Sequence, residues 1–297
     1  MSSRKLKFAL FGNAYQAEKS ACISRLMQCL VAHGAEVCAE RRFHGLLSSL
    51  GNVAVGGISV FDGSKFDADF VVSLGGDGTI LRAAGYVGDK GTPIIGVNTG
   101  RLGFLAGIAP DEIEAAFGEV FRGEYELEHH SVITAEGAWE GMASPCRALN
   151  DIAVLKRDTA SMITIHVMVN GEYLVTYQAD GLIVCTPTGS TAYSLSNGGP
   201  VIAPSTGVLC LTPVAPHSLN IRPMVIPDSA EIRLSVESRS HNFLIAADGR
   251  SAKCGEGTDI TIRRAGYDIH VVKRIGHSYF DTLRKKMMWG ADPRTKA

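Results

Sequence analysis

The chain has 297 residues, 45% of them apolar and 20% charged, a composition too apolar for a disordered protein and ordinary for a globular one. Lysine plus arginine number 29 and aspartate plus glutamate 30, so the net charge is -1. This excludes a broad basic face of the kind that binds nucleic acid or anionic membrane indiscriminately.

An anionic ligand would have to be held by local geometry. Glycine is in excess, at 33 residues, and 14 of these lie in two stretches, ten in 75–107 and four in 181–199. The length suits roughly two domains. The seven cysteines are odd in number and form no CxxC, which argues against a zinc site or a disulfide framework. Buried thiols in a reducing cytoplasm are the expectation. No apolar run approaches the ~18 residues of a membrane-spanning helix.

In chain order, residues 6–11 read as a short buried strand ending at Gly12. Ile23, Leu26, Met27 and Leu30 follow one helix face, with Gly34 as a stop. Residues 37–39 read as a second strand and 70–74 as a third, which runs into Gly75-Gly76-Asp77-Gly78-Thr79. A helix follows through Ile80, Leu81, Ala83 and Ala84, then a strand over 93–97 and a helix over 111–122. Strands alternating with helices predict a parallel sheet, with ligands beyond the carboxyl ends of its strands.

The pattern then changes. Ile163, Ile165, Val167 and Val169 alternate up to Asn170-Gly171, with Tyr173, Val175 and Tyr177 beyond. Alternation broken by Asn-Gly signals a hairpin. Further short strands read at 182–185, 208–211, 231–237, 243–247, 259–263 and 269–272. The fold class expected is an α/β N-terminal domain with a parallel sheet plus an all-β, sandwich-like C-terminal domain. Residues 278–289 return to helical spacing, as a C-terminal helix returning to the first domain. The boundaries expected are 1–125 with 277–297 for the α/β domain and 126–276 for the β-rich domain.

Gly75-Gly76-Asp77-Gly78-Thr79 joins a buried strand to a helix start, where glycines admit a phosphate and free N–H groups favour an anion. A carboxylate inside such a cradle repels phosphates unless it has a task, such as accepting a proton from a hydroxyl or holding a metal. The plainer alternative is a tight turn in which Asp77 caps the helix. The loop from Asn98 through Arg101 and Leu102 to Phe104 follows the next strand and rises at the same sheet edge. Asn150-Asp151 alone reads as a turn. A strand over 182–185, preceded by Asp180, opens into Thr186-Pro187-Thr188-Gly189-Ser190-Thr191-Ala192-Tyr193-Ser194-Leu195-Ser196-Asn197-Gly198-Gly199-Pro200. That run offers many N–H and O–H donors to a polyhydroxyl or phosphate ligand.

Together these segments resemble the NAD kinase family, in motif, order and approximate spacing, from about residue 70 to 290. The resemblance implies transfer of the γ-phosphoryl of ATP to the adenosine-ribose 2′-hydroxyl of NAD, with a divalent cation (Mg or Mn) and a homo-oligomer, dimer or tetramer. It places Asp77 on the family's catalytic aspartate, taken as general base. It places Gly75, Gly76, Gly78, Thr79, Arg82, Phe104, Asn150, Asp151, Ser161, Asp180, Thr188, Thr191, Ala192, Tyr193, Ser194, Leu195 and Ser196 on dinucleotide-binding positions. Two positions depart from the pattern: Asp151 stands where Glu is common, and Gln178 where a basic residue is common. Arg250 is either a phosphate contact or a solvated hairpin residue. The rivals are a lipid kinase of the diacylglycerol or sphingosine type, which shares the GGDGT loop, and a non-catalytic dinucleotide sensor. No nucleic-acid or membrane partner is expected.

Overall fold

The structure is a computed structural model and describes residues 4–12, 20–50, 56–100, 103–158 and 161–290. Two compact units form, residues 1–129 with 269–297, and residues 130–268.

The first unit begins with β1 (Lys7–Gly12), α1 (Ser20–Ala32), β2 (Glu36–Glu40) and α2 (Arg41–Ser49). It continues with β3 (Ser59–Phe61), β4 (Phe70–Gly75), α3 (Asp77–Val87), β5 (Ile94–Asn98) and α4 (Ile113–Arg122). The strands pair in parallel in the order β3-β2-β1-β4-β5. Every residue of β4 and β5 is buried, as expected of central parallel strands covered on both faces. The order reverses between β1 and β4, which is where open parallel sheets form a crevice for ligands. Phe8 stacks on Phe70 at 5.5 Å between ring centroids, in a core shared with Leu26, Leu30, Phe117 and Val120. Neither α2 nor β3 was expected from the sequence. The α2 helix starts at Glu40, whose carboxylate accepts from the N–H groups of Arg42 and Phe43 at 3.1 and 3.2 Å.

The second unit holds two antiparallel sheets. In chain order the strands are β6 (Tyr125–Glu136), β7 (Trp139–Glu140), β8 (Cys146–Ala148), β9 (Asp151–Lys156), β10 (Ile163–Val169) and β11 (Glu172–Ala179). Then come β12 (Gly181–Cys185), the short α5 (Tyr193–Ser196), β13 (Val208–Val214), β14 (Met224–Pro227), β15 (Ile232–Glu237), β16 (Asn242–Ala247), β17 (Arg250–Gly255) and β18 (Ile260–Arg274). One sheet runs β14-β13-β12-β9-β16-β17-β7, and the other contains β11-β10-β15 followed by the first part of β18. Ile165, Val167 and Leu234 of one sheet share a core with Ile152, Val154, Val184 and Ile245 of the other. This is the sandwich-like arrangement expected. Asn170 and Gly171, with φ of 52° and 81°, close the β10–β11 hairpin in the left-handed region that its turn requires.

The strands read separately at 259–263 and 269–272 are one strand, β18, which passes from one unit to the other. The chain ends its described part with α6 (Tyr279–Met287), in the first unit.

Candidate functional site

In the first unit, β4 delivers Gly75 and Gly76 to the head of α3, and Asp77 is the first residue of that helix. Gly75 pairs with Asn98 at the end of β5, so the two loops emerge side by side. The Asp77 carboxylate is fully engaged. Oδ1 accepts from the N–H groups of Leu105 and Ala106 at 3.0 and 3.1 Å. Oδ2 accepts from the Phe104 N–H at 2.9 Å and from the Lys286 ammonium at 3.2 Å. Burial pushes the Asp77 carboxyl up, but the Phe104 N–H, the Lys286 charge and the N–H groups of Ala106 and Leu105 outweigh it. The group is held below the usual carboxylate range and is ionised at neutral pH.

The loop approaches so closely because residue 103 is glycine: a Cβ there would lie 2.1 Å from Asp77 Oδ1. Gly76 and Gly78 have open space where a Cβ would stand, leaving the backbone at the helix start accessible. Thr79 is buried. Arg82 donates from Nη2 to the Gly12 carbonyl at the end of β1, and its buried Nε has no partner among the described residues. Phe104 is partly buried, with the Lys286 ammonium 4.4 Å from its ring centroid and Tyr279 at 6.3 Å. Arg101 and Leu102 lie outside the described residues.

In the second unit, Asn150 and Asp151 lead into β9, beside the end of β12, where Cys185 pairs with Asp151. Asp248, in the turn between β16 and β17, clasps this segment. Its oxygens accept from the N–H groups of Leu149 and Asn150, both at 2.8 Å, and of Asp151 at 3.3 Å. Burial and the neighbouring Asp248 charge push the Asp151 carboxyl up to about 7. Asp248 is also raised by burial, against the pull of the three N–H groups and Arg250. The Asn150 Oδ1 is buried and has no hydrogen-bond partner among the described residues.

The hydroxyl-rich run divides in two. Thr186 donates to the Leu149 carbonyl at 2.5 Å, and Gly189 packs so tightly that a Cβ would lie 2.1 Å from the Asn150 carbonyl. Ser190 donates to the Pro187 carbonyl at 2.6 Å, and Ser194 pairs with Thr212 at 2.8 Å, both fully buried. These groups fix the loop's own shape. Thr188 meets His130 at 2.8 Å and Thr191 bonds the Thr188 carbonyl at 3.4 Å. Ala192 and Leu195 are partly buried, while Tyr193 and Ser196 are exposed.

Asp180 is paired with Lys156 at 2.7 Å. Ser161 lines a cavity of about 580 Å³ together with Lys156, Gln178, Arg239 and His241. Arg250 donates from Nη2 to the Arg147 carbonyl at 2.7 Å and from Nε to the Ala247 carbonyl at 3.3 Å, so its guanidinium is occupied by backbone. The sequence reading missed Lys286 and the clasp by Asp248. An Asp-Gly pair signals the turn, but nothing local signals what its side chain reaches.

Among the described residues no group of three or more His, Cys, Asp or Glu could hold a metal ion. No described helix is long and apolar enough to cross a membrane.

Residues 8–125 match the ATP-NAD kinase N-terminal domain, and residues 149–274 match the ATP-NAD kinase C-terminal domain. The chain is 56% identical to an NAD kinase of Bacteroides fragilis over 97% of this chain and all of that one. It is 42% identical to an NAD kinase of Porphyromonas gingivalis over 97% and 99% of the two chains. Among solved structures, an NAD kinase from Archaeoglobus fulgidus in complex with ATP superposes with a TM-score of 0.69 at 27% identity, covering 95% of this chain and 99% of that one. Yeast NADH kinase complexed with NADH shares the fold with a TM-score of 0.87 at 20% identity, covering 100% and 91%. On two domain matches and these relatives, the chain belongs to the NAD kinase family.

Proposed function

We propose that the chain transfers the γ-phosphoryl group of ATP to the 2′-hydroxyl of the adenosine ribose of NAD, giving NADP and ADP. The observation that carries the chemistry is Asp77: an ionised carboxylate at the head of a helix, beyond the end of a central parallel strand, with open backbone at Gly76 and Gly78. Its relatives are kinases of NAD, which leaves the lipid-kinase and sensor readings without support. The archaeal relative solved with ATP supports ATP as the donor.

Asp77 is a strong acceptor and a weak base. In a loose phosphoryl-transfer transition state little deprotonation is needed early, so the carboxylate orients the ribose hydroxyl and takes its proton late. The N–H groups at the start of α3 favour the phosphate charge. On the NAD side, Asn150 and Asp151 are the ribose contacts we propose, supported by the buried Asn150 Oδ1, which has no partner among the described residues. Asp180, Ser161, Thr188, Thr191, Tyr193 and Ser196 supply further polar contacts. Ser194 serves by setting the loop's shape, given its buried bond to Thr212. Arg250 acts through the backbone it holds.

A protein-built divalent site does not fit the described residues, because no three His, Cys, Asp or Glu side chains converge among them. A magnesium ion bound largely through substrate phosphates is the arrangement its coordination chemistry favours. Seven free thiols support a cytoplasmic location. A homo-oligomer, dimer or tetramer, is part of the proposal, and sedimentation tests it.

The test is incubation with NAD, ATP and Mg²⁺, read by an NADP-specific dehydrogenase. NADP formation is the expected result. Phosphorylation of diacylglycerol with NAD untouched would replace the proposal.

A further inference from the structure

Lys286 lies on the last turn of α6 and is 209 residues from Asp77 in sequence. It makes two contacts at once. Its ammonium donates to Asp77 Oδ2 at 3.2 Å and stands 4.4 Å from the centre of the Phe104 ring. Asp77 is the proposed base, and Phe104 is one of the residues that the family resemblance places on dinucleotide-binding positions.

The acceptor count on Asp77 sharpens this. A carboxylate offers about four lone-pair positions. Leu105 and Ala106 take two on Oδ1, and Phe104 and Lys286 take two on Oδ2. A substrate hydroxyl needs one of them. Three donors are backbone N–H groups of one loop, which cannot leave singly. The fourth is an ammonium on a flexible four-carbon stem, partly exposed, and it can leave by rotating its own side chain. Among the described residues, the groups that act on the Asp77 carboxyl besides Lys286 are the N–H groups of Phe104, Leu105 and Ala106.

We infer that Lys286 is a positioning residue for the phosphoryl transfer, holding Asp77 and covering Phe104 in the free protein and yielding its place on Asp77 to the incoming ribose hydroxyl. Once displaced, the ammonium keeps three donors and a positive charge beside the reacting groups, where the transferring phosphoryl group carries negative charge. The inference rests on the NAD kinase reading for its substrate.

The experiment compares wild type, Lys286→Met and Lys286→Arg as full chains, each first checked for unchanged circular dichroism. Two readouts are taken: the pH profile of kcat/KM for NADP formation, which reports the free enzyme, and the titration of the Asp77 carboxyl carbon by NMR without substrate. Loss of the ammonium leaves the Asp77 anion of the free protein with less support, so in Lys286→Met both the carboxyl titration and the acid limb of kcat/KM move to higher pH. The same variant loses on the order of tenfold in kcat at neutral pH, the loss of one charge-assisted hydrogen bond. Its NAD affinity is unchanged or tighter, since no ammonium has to be displaced. Lys286→Arg returns the acid limb toward the wild-type position. An unmoved carboxyl titration in Lys286→Met, or an arginine variant as impaired as the methionine one, overturns the inference. A wild-type chain that makes no NADP defeats the proposed function separately, and the carboxyl titration still decides whether Lys286 governs Asp77.

Discussion

Asp151→Asn is the perturbation whose effect on stability follows most directly from the structure. The Asp151 carboxyl, 8% exposed, is pushed up to about 7 by burial and by the Asp248 charge beside it. In the unfolded chain an aspartate titrates near ~3.9. Between those values the folded protein keeps a proton that the unfolded chain has released. Stability therefore falls as pH rises from about 4 to about 7, then levels off. The interval is about 3 units, or about 4 kcal/mol at ~1.36 kcal/mol per unit, and this is a ceiling. About 2.7 kcal/mol of it falls between pH 5 and pH 7. Asparagine keeps the shape and carries no charge, so the variant lacks this slope. Urea unfolding at pH 5 and pH 8 reads the difference: wild type should lose about 2–3 kcal/mol more than the variant between the two. Asp248, also raised by burial, adds a slope of the same sign to both proteins. Parallel stability curves would refute the reasoning and mean that the Asp151 charge is held at no cost.

Three further outcomes follow from the same geometry. Gly103→Ala forces a Cβ to within 2.1 Å of Asp77 Oδ1, so the loop must move off the carboxylate; kcat should fall at least tenfold with NAD affinity retained, and steady-state kinetics beside NAD titration calorimetry check it. Asp248→Ala leaves three N–H groups around Asn150 without their acceptor, so unfolding measurements should show a loss of about 2–4 kcal/mol, and calorimetry a weaker NAD affinity. Arg250→Ala should cost about 1 kcal/mol of stability and leave NAD affinity within about twofold, because its guanidinium bonds carbonyls. A salt-dependent loss of NAD affinity in that variant would put Arg250 on a phosphate instead.

The sequence made some of this legible and hid the rest for physical reasons. The β10–β11 hairpin was readable because alternation and Asn-Gly are local signals. The β4 strand and its glycine loop were readable because a wholly buried strand is a continuous apolar run. By contrast, β6 carries Glu126, Glu128, His129 and His130 among its first six residues, which hides its strand character. The break at Ala265 and Gly266 makes β18 look like two strands, yet the chain stays extended through it. The glycine excess had suggested backbone laid close to phosphates and ribose. At Gly103 and Gly189 the close neighbours are Asp77 and Asn150 of the protein itself, whereas Gly76 and Gly78 at the start of α3 face open space. Likewise Ser190 and Ser194 looked like ligand donors by type, but their hydroxyls are spent inside the loop. The Lys286 contact depends on tertiary packing alone and had no signal along the chain.

The central claim is that Asp77 acts on the hydroxyl of NAD that receives the phosphoryl group. It is tested most directly by kcat and NAD dissociation constant measured together for wild type, Asp77→Asn and Asp77→Ala. The account predicts that kcat falls by about 10²–10⁴ in both variants while NAD binds within a few-fold of wild type. Turnover retained in either variant would contradict it.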